Sequence, residues 1–227
     1  MPRFFADISG STATISGRDV KHITGPLRKR SGDEILIRDG KEGFKAKITG
    51  ITKNEISLEI IERQMLCNRG NTRLHLGISL IDIREMDDAI RLTAELGVES
   101  ICPVIAERSN IRAISQAKLI RWEDIIKEAL KQSQRRTLPI LGSPVTLREF
   151  VESSLRFRNR YYASIDGETG IMNIKDEEIC FLIGPEGGFT DNETGLLKEC
   201  DYTPVNMGKT TLRTLAAAVA AASILCL

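Results

Sequence analysis

Apolar residues recur along this chain with two different periods, and the change of period separates two kinds of structure. In the first seventy or so residues they come in short bursts with partial alternation: "EILIRDG" (34–40), "FKAKITGI" (44–51) and "NEISLEII" (54–61). β-Branched residues dominate these bursts, and Asp39-Gly40 and Lys53-Asn54 supply turn chemistry between them. That pattern predicts short strands forming a small β-barrel or sandwich. "RQMLCNRGN" (63–71) ends in clustered turn formers and reads as a linker.

Beyond the linker, helical and strand periods alternate. "RLHLGISLI" (73–81), "SICPVI" (100–105), "YYASI" (161–165), "EICFLIG" (178–184) and "YTPVNMG" (202–208) read as strands. The fourth is a continuous apolar run, as expected of a parallel strand buried on both faces. Between them, "MDDAIRLTAELG" (86–97) places Met86, Ile90, Thr93 and Gly97 on one helical face. "AKLIRWEDIIKEALKQS" (117–133) has a stripe of Leu119, Trp122, Ile126 and Ala129. Further helices are predicted over 146–154, 191–200 with Asp191 as N-cap, and 212–225. The alternation predicts an α/β domain with a mostly parallel sheet at 71–227, preceded by a β-barrel at 1–70.

Composition narrows the class. With 41% hydrophobic and 28% charged residues the chain has the balance of a globular protein with a real core. The net charge of +1 hides an asymmetry: residues 1–73 carry 14 Lys and Arg against 9 Asp and Glu, the remainder 18 against 22. A basic N-terminal part suggests a polyanionic partner, and scattered solvated charge accounts for the count equally well. The five cysteines never form a C-x-x-C pair, which fits reduced thiols of a cytoplasmic protein rather than disulfides or a zinc site. The N-terminal "MPRFFADISG" lacks an apolar signal core, and the longest apolar stretch, Leu215–Leu227, has 13 residues, too few to span a bilayer.

Two stretches carry candidate chemistry. "NMGKTTLRTLAAAVAA" (206–221) contains Gly208-Lys209-Thr210, the ending of a phosphate-binding P-loop. A P-loop also needs glycine five residues before its Gly-Lys pair, so that successive N–H groups curl around phosphates. Thr203 stands there, followed by Pro204, which has no N–H to donate. The P-loop reading therefore fails. "LIGPEGGFTDNE" (182–193) runs from an apolar strand through Gly184-Pro185-Glu186-Gly187-Gly188 into a helix. Such a loop either lets backbone approach a ligand at the C-terminal edge of a sheet or is an ordinary tight connection. Both stretches follow strands and precede helices, so they can share one sheet edge and clasp a small molecule between them.

Together, "LIGPEGGFTDNE" and "MGKTTLRT" resemble the signature of the RsmE-type 16S ribosomal RNA uridine N-3 methyltransferases, members of the SPOUT superfamily. "PRFF" (2–5), "VKHITGPLRKRSGDEILIRDG" (20–40), "AELGVESICPVIAERS" (94–109) and "EALKQSQRRTLPI" (128–140) fall where that family has similar segments. The resemblance implies a PUA-like barrel and a SPOUT α/β domain with a trefoil knot. It also implies S-adenosylmethionine as cofactor, a homodimer, and the small ribosomal subunit as partner. No metal and no membrane association are implied.

Carried onto this sequence, the cofactor loops are Leu182–Gly188 and Val205–Thr214, with Ser164–Gly167 on a third side. The cofactor-binding residues implied are Leu182, Ile183, Gly184, Gly188, Met207, Gly208, Leu212 and Thr214. Arg213 matches the loop arginine and is the implied catalytic residue, with hydrogen bonding to nearby loop carbonyls as its alternative role. RNA contacts fall to Arg3, His22, Arg28, Lys29, Arg30 and Arg135. Gln132 and Arg136 stand near Arg135 at a helix end, where capping competes with an RNA role. Two departures stand out. The family typically reads Arg-Thr-Glu-Thr-Ala where this chain has Arg213-Thr214-Leu215-Ala216-Ala217, and "REMDDAI" (84–90) matches a Lys-rich counterpart only loosely. A ribose 2′-O methyltransferase of the same superfamily and a noncatalytic rRNA-binding protein remain alternatives, the latter sharpened by Leu215.

Overall fold

Alternating burial does build the first part of the chain. In the computed structural model, residues 3–39, 42–64, 72–133 and 138–227 are described. The chain divides into two units, residues 1–68 with 130–138 and residues 69–129 with 139–227. The first unit contains Arg3–Phe5 (β1), Asp7–Ser9 (β2), Thr12–Ser16 (β3), Arg18–Thr24 (α1), Glu34–Arg38 (β4), Gly43–Ile51 (β5) and Glu55–Gln64 (β6). Ile35 and Ile37, then Ala46 and Ile48, then Ile56 and Leu58 point alternately inward and share one core. The sheet order is β1-β4-β5-β6-β3-β2, with β1–β4 parallel and the other pairs antiparallel. Strands β1 and β2 occupy opposite ends of that order, yet only Ala6 separates them. The sheet therefore curls until its edges meet, and the N–H of Ala6 donates to the Arg38 carbonyl at 2.9 Å. The short α1 contributes Val20 and Ile23 to the same core. Residues 65–71 of the expected linker lie outside the described residues.

The second unit is a parallel sheet. Its elements are Arg73–Ser79 (β7), Ile83–Leu96 (α2), Ser100–Ile105 (β8), Gln116–Ser133 (α3, shared with the first unit from Leu130), Ile140–Leu141 (β9), Val145–Thr146 (β10) and Leu147–Ser154 (α4). There follow Asn159–Ala163 (β11), Thr169–Gly170 (β12), Glu178–Ile183 (β13), Asp191–Glu199 (α5), Thr203–Asn206 (β14) and Thr214–Cys226 (α6). The order is β10-β8-β7-β13-β11-β14-β12, with β9 beside β8, and every pairing is parallel. Parallel neighbours require crossover connections, which the helices supply. Cys180 and Leu182 of β13 join Leu147, Phe150 and Leu197 of α4 and α5 in one core. Ile179, Phe181 and Ile183, alternating with them, are equally buried, so β13 is covered on both faces. After β14, α6 comes back across the sheet to pack on α2, β7 and β13, the return expected of the C-terminal segment of a knotted α/β domain.

Local signals explain the helix boundaries. Helix α2 starts three residues before Met86 because Asp82 caps it, its carboxylate accepting the Arg84 N–H at 2.8 Å. Gly97 closes the helix instead of extending its buried face of Met86, Ile90 and Thr93. On α3, Trp122 is fully buried, and Ile126 and Ala129 follow it inward. The Trp122 indole N–H donates to Asp87 Oδ1 at 2.7 Å, and Arg121 pairs with the other oxygen at 2.9 Å. Asp87 lies in the segment that departs from the family pattern, and here it anchors α3 to α2. Asp87→Ala is expected to lower stability by about 1–3 kcal/mol, because it orphans a buried donor. Asp87→Asn, which keeps an acceptor, is expected to cost less, and urea unfolding measures both.

Candidate functional site

Strands β13, β11 and β14 are neighbours in a parallel sheet, so the segments leaving them emerge at the same edge. A cavity of about 560 Å³ opens between those segments, a size suited to a small-molecule site. One wall is the run from Ile183 through the Gly-Pro-Glu-Gly-Gly turn to Phe189. A second comes from Tyr162–Asp166 at and beyond the end of β11, and a third from Asn206–Gly208, Thr210–Leu212 and the first turn of α6.

Hydrogen bonds fasten these walls to one another. Thr214, buried at the start of α6, donates its hydroxyl to the Gly184 carbonyl at 2.8 Å. The Ser164 N–H donates to the Val205 carbonyl at 2.9 Å. The Asn206 amide donates to the Ile165 carbonyl at 3.2 Å and accepts the Gly208 N–H at 2.8 Å, holding the second and third walls together. Between them sits Gly167, where a Cβ would lie 2.6–2.9 Å from backbone atoms of Pro204, Val205 and Asn206. Backbone cannot yield as a flexible side chain would, so this close approach requires glycine.

The Gly-rich wall is a turn followed by a capped helix. The Gly188 N–H donates to the Pro185 carbonyl at 2.9 Å. Helix α5 begins one residue earlier than the sequence suggests: its N-cap is Thr190, and Asp191 is its first residue. Thr190 wins because it forms a reciprocal capping box with Glu193, satisfying two backbone donors at once. The other Glu193 oxygen accepts the Glu107 N–H at 2.7 Å, and Thr190 also donates its hydroxyl to Glu107 Oε2 at 2.7 Å. Tyr162, on the cavity wall, has its phenol pushed up by burial and then by nearby Asp166, so it stays a neutral donor.

Of the sequence-derived positions, Ile183, Gly184, Gly188, Met207, Gly208, Leu212 and Thr214 line the cavity. Leu182 does not; its side chain is buried in the core with α4. Arg213 is exposed at the N-cap of α6; its carbonyl accepts the Ala217 N–H at 2.8 Å, while its guanidinium makes no hydrogen bond or ion pair among the described residues, so the carbonyl-bonding alternative is not observed. Thr203 and Pro204 lie within β14, where no phosphate loop forms. In the first unit, His22, Arg28 and Arg30 are exposed on α1 and the turn after it, and Lys29 is half-buried. Arg3, by contrast, is only 6% exposed and donates to Gln64 Oε1 at 3.3 Å, so it is not presented to RNA as the sequence reading expects. Arg135 and Arg136 lie outside the described residues.

Sequence reasoning missed one wall altogether: Asp191, Thr194 and Lys198 of α5 also line the cavity. Their spacing of three and four residues, one face of a helix, was the available signal. Among the described residues no group of three His, Cys, Asp or Glu side chains is placed to hold a metal ion. No helix among them is long and apolar enough to cross a membrane.

Comparison with known proteins follows these boundaries. A family described as an RNA methyltransferase domain matches residues 68–226, and one described as an RNA methyltransferase PUA domain matches residues 15–61. The chain is 31% identical over 224 residues to a ribosomal RNA small subunit methyltransferase E from Aquifex aeolicus, covering 95% of this chain and 94% of the relative. Among solved structures it is similar to a Neisseria gonorrhoeae ribosomal RNA small subunit methyltransferase E bound to S-adenosyl methionine. That match has a TM-score of 0.87 and 31% identity, over 98% of this chain and 95% of the other. A Legionella pneumophila protein solved with the cofactor SAM bound gives a TM-score of 0.90 at 26% identity, over 98% and 96%. Within this chain, Gly167→Ala is expected to lower the thermal midpoint, with a cost of about 1–3 kcal/mol from overpacking against backbone. A midpoint equal to wild type in calorimetry would show that the close approach relaxes without cost.

Proposed function

We infer the function from kinship and geometry together: the chain belongs to the ribosomal RNA small subunit methyltransferase E family. Its fold is the SPOUT-type α/β methyltransferase fold with an N-terminal PUA-like barrel. The chain is an S-adenosylmethionine-dependent RNA methyltransferase that acts on 16S ribosomal RNA. In the finer reading, the acceptor is the N-3 nitrogen of a uridine. The observation that carries this reading is the cavity at the ends of β13, β11 and β14, walled by the two loops that match the family signature.

The residues present fit the cofactor. Among the described residues no hydrogen bond engages the backbone N–H or C=O groups of Thr210, Thr211 and Leu212, which line the cavity. Such free groups recognise the edge of a purine, while Ile183, Leu212 and Ala217 supply apolar contact for its faces. We assign cofactor binding to Ile183, Gly184, Gly188, Met207, Gly208, Leu212 and Thr214, with Leu182 acting as the buried strand residue behind them. S-Adenosylmethionine, when bound, supplies the methyl group on a sulfonium. This chain orients the acceptor and manages its proton.

The imide nitrogen of uracil is a poor nucleophile until its proton leaves, and negative charge then develops on the flanking carbonyl oxygens. We assign the stabilisation of that charge to Arg213, which is exposed and whose side chain has no partner among the described residues. Leu215, half-buried one residue beyond Thr214, offers no charge. The carboxylates that line the cavity belong to Asp166, Glu186 and Asp191, and proton acceptance falls to one of them. His22, Arg28, Lys29 and Arg30 draw the RNA backbone to the barrel by salt-dependent phosphate contacts. Arg3, buried and bonded to Gln64, takes no direct part in this surface, and Arg135 is assigned to phosphate contact from the sequence alone.

A second copy of the chain completes the enzyme in this reading. Helix α6 contains no charged residue, and only one side of it, through Ala218, Ala221 and Ala222, is buried by its own chain. Ala216 and Ile224 are exposed on the other side, with Val219 and Ala220 half-exposed. A helix that is apolar all round is normally covered all round. The enzyme works in the cytoplasm, where ribosomal RNA is matured.

Modified nucleosides of small-subunit RNA from a deletion strain test the reaction. Loss of a 3-methyluridine is expected; loss of a ribose methyl would favour 2′-O transfer, and no change would favour a noncatalytic binder, which Leu215 keeps in view. Arg213→Ala is expected to cut turnover by about 10²–10³-fold while leaving affinity for S-adenosylhomocysteine near wild type. Ala220→Glu is expected to yield monomers in light scattering where the wild-type chain yields dimers.

A further inference from the structure

The turn that forms the Gly-rich wall is held from outside by a different part of the chain. Strand β8 ends at Ile105, and the residues after it lie alongside the Pro185–Gly188 turn. The guanidinium of Arg108 donates from Nη1 to the Gly187 carbonyl at 2.7 Å. Its aliphatic stem covers Gly187 so closely that a Cβ there would sit 3.3 Å from Arg108 Cδ. Further along the same segment, Glu193 binds the main chain of Glu107 and Thr190 its side chain. The loop after β8 is itself braced, because Arg112 donates to the carbonyls of Ala106, at 3.1 Å, and Glu107.

Consider the Gly187–Gly188 peptide. Its N–H end is fixed by Pro185 and its C=O end by Arg108. Without Arg108, that carbonyl has no partner among the described residues, and two consecutive glycines give the backbone the widest freedom to turn over. With it, the turn has one orientation. The N–H groups of Glu186 and Gly187, on residues that line the cavity, are then left without a hydrogen bond among the described residues.

We propose that Arg108 is a positioning residue for the cofactor: through the Gly187 carbonyl it fixes the Pro185–Gly188 turn in the shape that receives S-adenosylmethionine. The proposal rests on the cofactor reading above. Arg108 itself does not line the cavity and acts through the turn. Loss of the bond lets the turn sample closed arrangements, and binding weakens by the fraction of time the competent one is absent.

The test uses the full chain and calorimetric titration with S-adenosylhomocysteine, together with the melting temperature of the unliganded protein. Arg108→Met keeps the stem that packs on Gly187 and removes the hydrogen bond. It is expected to bind about tenfold more weakly than wild type, with an unliganded melting temperature within about 2 °C of it. Arg108→Lys, which can still donate to a single carbonyl, is expected to recover most of the affinity. Wild-type affinity in Arg108→Met would overturn the proposal. So would equal weakening in the Met and Lys variants, or a weakening matched by a large fall in melting temperature, which marks a merely structural role. No binding by the wild-type chain would instead remove the cofactor reading, and this inference with it.

Discussion

Parallel pairing is the constraint on which the rest of the molecule's second half depends. Parallel strands send every C-terminal end to one edge of the sheet, and β13, β11 and β14 stand side by side there. Loops that lie far apart in sequence, after residues 163, 183 and 206, thereby become the walls of one cavity. The Thr214 hydroxyl then ties the start of α6 to the end of β13, so the helix that returns over the sheet also closes the wall. Burial drives the arrangement: β13 is apolar on both faces, and neither face can be left to water.

The two units divide the work by charge. The barrel exposes His22, Arg28 and Arg30 from α1 and its following turn, which in the proposed reading meet a polyanion and need no fine geometry. The α/β unit carries the acidic excess and presents backbone groups at its cavity, a surface for one ligand that does need fine geometry. Arg213, between the cavity-lining Leu212 and Thr214, adds a guanidinium with no side-chain partner among the described residues. An unpartnered guanidinium next to a ligand site is available for charge that arises only during reaction, which is where an electrostatic contribution acts on rate rather than on binding.

Much of this was legible in the sequence where period and length coincide. The apolar run of β13, the stripe through Trp122, Ile126 and Ala129 and the strand–loop–helix setting of both signature stretches all carried through. Short elements were not legible, since β1 to β3, β9, β10 and β12 have two to five residues each, too few to establish a period. The seven residues of α1 were lost for the same reason. Competition between two good caps misplaced the start of α5, because Asp191 and Thr190 differ only in which one Glu193 can reach. The α5 wall of Asp191, Thr194 and Lys198 was spaced as a helix face, but nothing in the sequence says which way that face turns. The contacts of Arg108 were invisible, because an arginine near a glycine 79 positions away has no local signature.

Those contacts share a further property. Glu193 spends both oxygens on main-chain N–H groups, and Arg108 reaches a main-chain carbonyl. Nearly any residue can present such a group, so the constraint falls on one side of each bond. Over evolutionary drift, position 107 could change without breaking its main-chain link to Glu193, whereas position 193 has little latitude: Asp is a methylene too short, and Gln has only one acceptor oxygen. Paired substitution, the usual trace of residues in contact, would therefore be absent from these main-chain links around the Gly-rich loop, the Thr190–Glu107 side-chain bond aside. Its history would read as isolated fixed positions facing partners that wander.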